Sequence, residues 1–252
     1  MASSTHRANI IKLIEKNAYR HSAWEVFSDF LTIYAISISN SMNHAKREER
    51  EKYYLDTIRK YDKEEVDNFV KMGAELVMEM ESYAKRQRFT DVLGKIFHEM
   101  EFHDKWQGQF FTPQDIASMI GKVTCNWEVI EKAIRVYGYA SINEPCCGSG
   151  ATLLGFLNGF YEMGEEWKLK LNHSNQILMV AQDVDARCCM MAYIQLSLYG
   201  VPAIVEQRNT LTMELFDTWH TPAYAWGGWN FRRHHAMQVR NAEHEVMEML
   251  EA

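Results

Sequence analysis

The sequence predicts an all-helical N-terminal domain followed by an α/β domain built on a parallel sheet, and three observations predict it. Apolar residues recur at three- and four-residue spacing through most of the first hundred positions. No proline occurs before Pro113. Beyond Pro113 short apolar runs alternate with helical patterns, the strand–helix order that builds a parallel sheet with right-handed crossovers. The boundary falls between a helical domain over 1–107 and an α/β domain over 108–252.

Composition supports folded units of this kind. The 252 residues are 47% hydrophobic, 12% aromatic and 24% charged, the balance of a chain that buries a core. The length allows one large domain or two smaller ones. The net charge of -7 lies wholly in the second part, because residues 1–100 carry 16 Lys and Arg against 16 Asp and Glu, whereas residues 101–252 carry 11 against 18. A protein that grips nucleic acid unaided shows a basic excess, since phosphate contacts supply most non-specific affinity. If this chain meets DNA, another component helps it. The five cysteines include the adjacent pairs Cys146-Cys147 and Cys188-Cys189, and none has zinc-ligand spacing, so no metal is expected. The first ten residues lack a signal-peptide layout, and the stretch 23–42 is broken by Glu25 and Asp29, so a cytoplasmic chain without a membrane span is expected.

Each element follows in order. Trp24, Phe27, Phe30, Leu31, Tyr34 and Ile38 place a buried helix over 21–38. The charge-rich stretch 43–63, with Tyr54, Ile58 and Tyr61, predicts a solvated helix resting on it. Val66, Phe69, Val70, Gly73, Leu76, Val77 and Met80 mark the inner face of a helix over 64–86, and a short helix spans 91–100. Helices are expected over 115–123 and 127–137, a strand over 140–144, and a helix over 151–163. A strand over 176–183, a helix over 185–198 and a strand over 203–207 complete the alternation. Val239, Ala242, Val246 and Met249 predict a last amphipathic helix over 232–250.

The segment from Asn143 to Ala151 (NEPCCGSGA) lies where the first strand meets a helix. Gly148 and Gly150 let a ligand approach the backbone, and the helix N-terminus behind them suits a carboxylate or phosphate. The third glycine of a dinucleotide fingerprint is missing, since Leu153 stands there. Glu144, just before the turn, suits an ammonium group, and Asp183, at the end of the next strand, suits a ribose diol. Together they describe S-adenosylmethionine. Cys146 and Cys147 are expected to pack beneath the turn.

With Gly108 to Pro113 (GQFFTP), the Glu144–Gly150 turn, Ala181-Gln182-Asp183 and Arg208-Asn209-Thr210-Leu211 in order, the chain resembles the methylation subunits of type I restriction-modification systems, a family of N6-adenine DNA methyltransferases. Asp91-Val92-Leu93-Gly94 and Ile96-Phe97 extend the likeness to residues 89–211. The resemblance implies a Rossmann-like methyltransferase core, here shortened, after a helical domain. It implies a cofactor site of Phe111, Thr112, Pro113, Glu144, Pro145, Cys146, Gly148, Gly150, Asp183 and Asn209. Residues 111–113 would fold over the methionine end and Asn209 would face the adenine. DNA would be the substrate, with specificity and restriction subunits as partners.

The Asn-Pro-Pro-Tyr tetrapeptide that such enzymes use to hold a flipped adenine is absent. Thr221-Pro222-Ala223-Tyr224 is the nearest segment, and it makes Thr221, Pro222 and Tyr224 the candidate base-holding residues. The short sheet leaves an open edge that the last helix or another subunit must cover. Two further readings stay open: a cofactor-binding module without catalysis, and a methyltransferase for RNA, protein or a small molecule. His98, His103 and His234-His235 are read as surface residues. Lys85 to Arg88 and Arg232-Arg233 are read as solvated clusters able to meet phosphates.

Overall fold

The computed structural model describes residues 5–42, 46–102 and 111–251, with side chains described to residue 243. Gly108, Gln109, Phe110 and His103 therefore lie outside the described residues. Among the described residues the chain is a mixed α/β structure of twelve helices and one four-stranded sheet.

The helical layer begins with α1 (Thr5–Asn17), which the sequence reading left unassigned; it buries Ile10 and Ile14 and packs on α4 (Lys63–Ala84). The hydroxyl of Ser22 accepts the Glu25 N–H to start α2 (Ala23–Asn40), whose Val26, Phe27, Phe30 and Leu31 are fully buried. The charged helix α3 (Arg47–Ile58) lies against α2 and is mostly exposed, as its composition requires. A capping box fixes the start of α4: the Asp62 carboxylate accepts the Glu65 N–H while the Glu65 carboxylate accepts the Asp62 N–H. Of the face predicted for α4, Phe69, Gly73, Leu76 and Met80 are buried, but Val70 is 70% exposed and Val77 39%. Seven apolar residues span a wider arc than one helix–helix contact can cover, so those at its margin stay wet. Helix α5 (Val92–Glu99) closes the layer.

The alternating part contains α6 (Gln114–Thr124), α7 (Trp127–Tyr137), β1 (Ala140–Glu144), α8 (Ala151–Glu166), α9 (His173–Gln176), β2 (Ile177–Asp183), α10 (Ala186–Leu198) and β3 (Ala203–Asn209). Strands β1, β2 and β3 are parallel and adjacent, with Glu144 beside Ala181 and Asp183 beside Gln207, so the ends of β1 and β2 meet at one edge of the sheet. The expectation of an all-parallel sheet fails at the fourth strand. Strand β4 (Glu214–His220) runs antiparallel to β3, because only Thr210 to Met213 connect them and a parallel crossover needs about a dozen residues. The chain then closes with α11 (Pro222–Trp226) and α12 (Trp229–Glu251).

Alternation along the strands sorts two cores. Met179, Ala181, Ala203 and Val205 face a continuous apolar cluster that also contains Ile10, Phe27, Leu76, Leu154 and Ile194, so the two predicted domains share one core. Leu178 and Ile204 face the other side, against Tyr139, Tyr224, Trp229 and Ala236. Arg50 of α3 fastens the helical layer to β4. Its guanidinium lies 3.6 Å from the centre of the Trp219 ring and donates to the Thr218 carbonyl at 3.0 Å, and beside it Lys46 pairs with Asp217. Arg232 donates to the carbonyls of Gly138 and Asn175 and lies 3.9 Å over Trp229, an internal strap rather than a phosphate-facing cation. No described helix is long and apolar enough to cross a membrane.

Candidate cofactor and base sites

The turn between β1 and α8 is held by hydrogen bonds from all sides. Cys147 N–H donates to the Gln182 carbonyl at 2.8 Å, and Gly150 N–H donates to the Cys147 carbonyl at 2.7 Å. Gly148 (φ +52°) and Gly150 (φ +93°) sit in the left-handed region, which explains why glycine occupies both positions. A Cβ on Gly148 would approach the Phe111 ring to 3.0 Å, so the ring that follows residues 103–110 rests directly on the turn. Phe111 is buried and stands edge-on to Phe97 at 4.7 Å.

The two carboxylates singled out from sequence converge on this turn. Glu144 accepts the Cys146 N–H at 3.2 Å and the Thr152 hydroxyl at 2.8 Å. Asp183 accepts the Gly148 N–H at 3.0 Å and the Asp185 N–H at 2.9 Å. Burial is the largest influence on Asp183 and raises its pKa, while the backbone donors pull it down. The first N–H groups of α8 have no intrahelical partner and lie behind the glycines. Beside Asp183 stands Val184, 56% exposed, an apolar surface at the strand end that the motif reading did not single out. Its signal in the sequence was an apolar residue between two aspartates. Thr152, which orients Glu144, and the buried Ser149 were also missed, for a hydroxyl in a helix or a turn is commonplace.

Pro145 and Cys146 are exposed, so only Cys147 packs beneath the turn, where burial pushes its thiol pKa up. Thr112 and Pro113 lead into α6, with Pro113 exposed at its N-terminus. The Asn209 amide oxygen accepts the N–H groups of Leu211 and Thr212 at 3.0 and 3.2 Å and so shapes the hairpin turn. Cavities of about 510 and 620 Å³ open beside Trp127 and beside α3, away from the glycine turn. Size alone does not make either the chemical centre, since neither is lined by the converging carboxylates.

Thr221, Pro222 and Tyr224, the candidate base-holding residues, lie at the opposite end of the strands from the glycine turn. Because β4 runs back along β3, these residues stand at the start of the parallel strands. The Thr221 hydroxyl accepts the Ala203 N–H at 2.9 Å and donates to the Val201 carbonyl at 2.7 Å. Tyr224 is 2% exposed, stacks on His220 at 4.6 Å and donates to the Asn230 side chain at 2.7 Å. Four strand positions separate Ala203, beside Thr221, from Gln207, beside Asp183, which puts roughly 13 Å along the strands between this corner and the glycine turn. Thr221 is the N-cap of α11, with Pro222 in its first turn. His98, His234 and His235 are exposed.

A family model for N-6 DNA methylase matches residues 85–231, more than half of the chain. The chain belongs to the N-6 DNA methylase family. No curated protein and no solved structure matches it. The N-6 DNA methylase span opens just before the Phe89–Asp91 connection, takes in all four strands and the glycine turn, and ends in the first turn of α12.

Proposed function

We propose that this chain binds S-adenosylmethionine at the 144–150 turn and serves adenine-N6 methylation of DNA in a restriction-modification type of system, with sequence recognition left to a specificity subunit. The observation that carries this reading is the convergence of Glu144 and Asp183 on one glycine turn, each bonded to a backbone N–H of it. The residues present fit the cofactor. Glu144 suits the ammonium group, the N-terminus of α8 suits the carboxylate, Asp183 suits the ribose hydroxyls, and Val184 offers an apolar face to the adenine. Phe111, packed on Phe97, covers one side of the turn with an apolar ring. When bound, the cofactor supplies a methyl group made electrophilic by the sulfonium. The chain's part is to hold and orient it, without metal or covalent intermediate.

A second reading is favoured by the position of Tyr224: a chain that binds cofactor without forming a base pocket of its own. Calorimetry with S-adenosylmethionine, together with a labelled-methyl transfer assay on DNA with a candidate specificity subunit, separates the two. Binding with transfer supports the first reading, and binding without transfer the second. No binding overturns both. Tyr224→Ala, if it abolished transfer in a protein that still melts cooperatively and binds cofactor, would overturn the second reading.

A further inference from the structure

We propose that Asp91 is a positioning residue for the cofactor turn, through which the helical layer sets the shape of the 148–150 backbone. The inference rests on the reading that this turn takes S-adenosylmethionine. Asp91 is 5% exposed and caps α5, accepting the Gly94 N–H at 2.8 Å. Capping needs one oxygen. The carboxylate does more: Oδ1 also accepts from Nε2 of Gln195 at 2.9 Å, and Oδ2 accepts the Ser149 hydroxyl at 2.5 Å. Gln195, fully buried on α10, donates from the same nitrogen to the Ser149 carbonyl at 2.8 Å and accepts the N–H groups of Val92 and Leu93 at 2.7 and 3.2 Å. Ser149 is thereby gripped at its hydroxyl and at its carbonyl.

Two details show that the space is made for this grip. A Cβ on Gly94 would lie 2.0 Å from Oδ2 of Asp91, so glycine three residues on leaves the carboxylate free to turn toward Ser149. The Asp91 N–H donates to Oε1 of Gln114 at 3.0 Å, which ties the start of α6, just after Phe111 to Pro113, to the same residue. Ser149 stands between two left-handed glycines, the most flexible arrangement a turn can have. Fixing that one residue removes freedom that a ligand would otherwise have to quench on binding.

The test compares the full chain with Asp91→Asn and Tyr199→Phe. Asparagine keeps the cap but not the charged acceptor. Tyr199→Phe cuts the neighbouring link, in which the Tyr199 hydroxyl accepts the Thr90 N–H at 3.1 Å and donates to the Thr90 carbonyl at 2.9 Å, without touching the turn. Asp91→Asn is expected to weaken S-adenosylmethionine binding about tenfold and to speed amide exchange at residues 148–150 in the ligand-free protein, while Tyr199→Phe changes both less than about twofold. Ser149→Ala removes the same bond from the other side and should loosen the same amides even if Asp91→Asn fails to fold. Unchanged exchange in both Asp91→Asn and Ser149→Ala, or equal loosening by Tyr199→Phe, overturns the proposal. If the unaltered chain binds no S-adenosylmethionine, the functional reading falls and the exchange comparison still decides the role of Asp91.

Discussion

Under the proposed function Asp183 would meet two opposed demands, since its carboxylate is largely buried yet would have to be ionised to accept from a ribose diol. Burial raises its pKa, so on acidification the ionised form is lost at a higher pH than for a free aspartate. Affinity for S-adenosylmethionine should therefore decline on the acid side earlier than a free aspartate would dictate, and calorimetry across pH checks this. Asp183→Asn should flatten that limb and weaken binding about 10- to 100-fold, the effect of losing hydrogen bonds to a charged acceptor. At this scale the sequence was most legible where a residue type has one common reason to be present. Glycines at 148 and 150 mark left-handed backbone, and acids at two consecutive strand ends mark carboxylates that meet at the turn. Asn209 was less legible, because an amide serves a hairpin turn as readily as a ligand, and its oxygen's bonds to the Leu211 and Thr212 N–H groups are visible only in the structure.

Helix α6 meets α8 through glycine. A Cβ on Gly121 would lie 2.0 Å from the Gly155 carbonyl oxygen, and one on Gly155 would lie 2.1 Å from the Ala117 carbonyl oxygen. Backbone cannot step aside as a side chain can, so Gly155→Ala should destabilise the protein by about 2–3 kcal/mol or more in urea unfolding. The 115–123 pattern predicted the helix but not this contact: its large apolar residues Ile116, Met119 and Val123 are exposed, while Ala117 and Gly121 are buried. Strand β4 gives the opposite lesson. Its four-residue link forces a hairpin, the hairpin reverses the chain, and Thr221 arrives at the far end of the sheet. Thr221→Val leaves the Ala203 N–H and the Val201 carbonyl without their buried partner, at a cost of about 1–3 kcal/mol. Thermal melting should show that loss while cofactor affinity measured on folded protein stays unchanged.

Across the whole molecule, His173 joins three elements at the base of the sheet. One ring nitrogen lies 2.7 Å from the Tyr161 hydroxyl and the other 3.0 Å from the Tyr199 carbonyl. Burial lowers its pKa, as it does for His220, where Arg233 and Arg50 act in the same direction. A histidine with a depressed folded value contributes stability that is present above its unfolded pKa of about 6.5 and is lost as pH falls toward the folded value. The urea midpoint should drop between about pH 7.5 and 5.5, and His173→Gln should make the drop smaller. By itself the sequence determined the helical layer, the three parallel strands and the two carboxylates beside the glycine turn, because periodicity, caps and strand-end residues are local signals that neighbouring positions reinforce. Only the tertiary structure decided that the helical layer and the sheet share a core, that Asp91 reaches the glycine turn, and that Tyr224 stands at the other end of the strands. Those outcomes depend on the direction of one strand and on contacts between residues about 60 to 100 positions apart, for which spacing along the chain carries no signal.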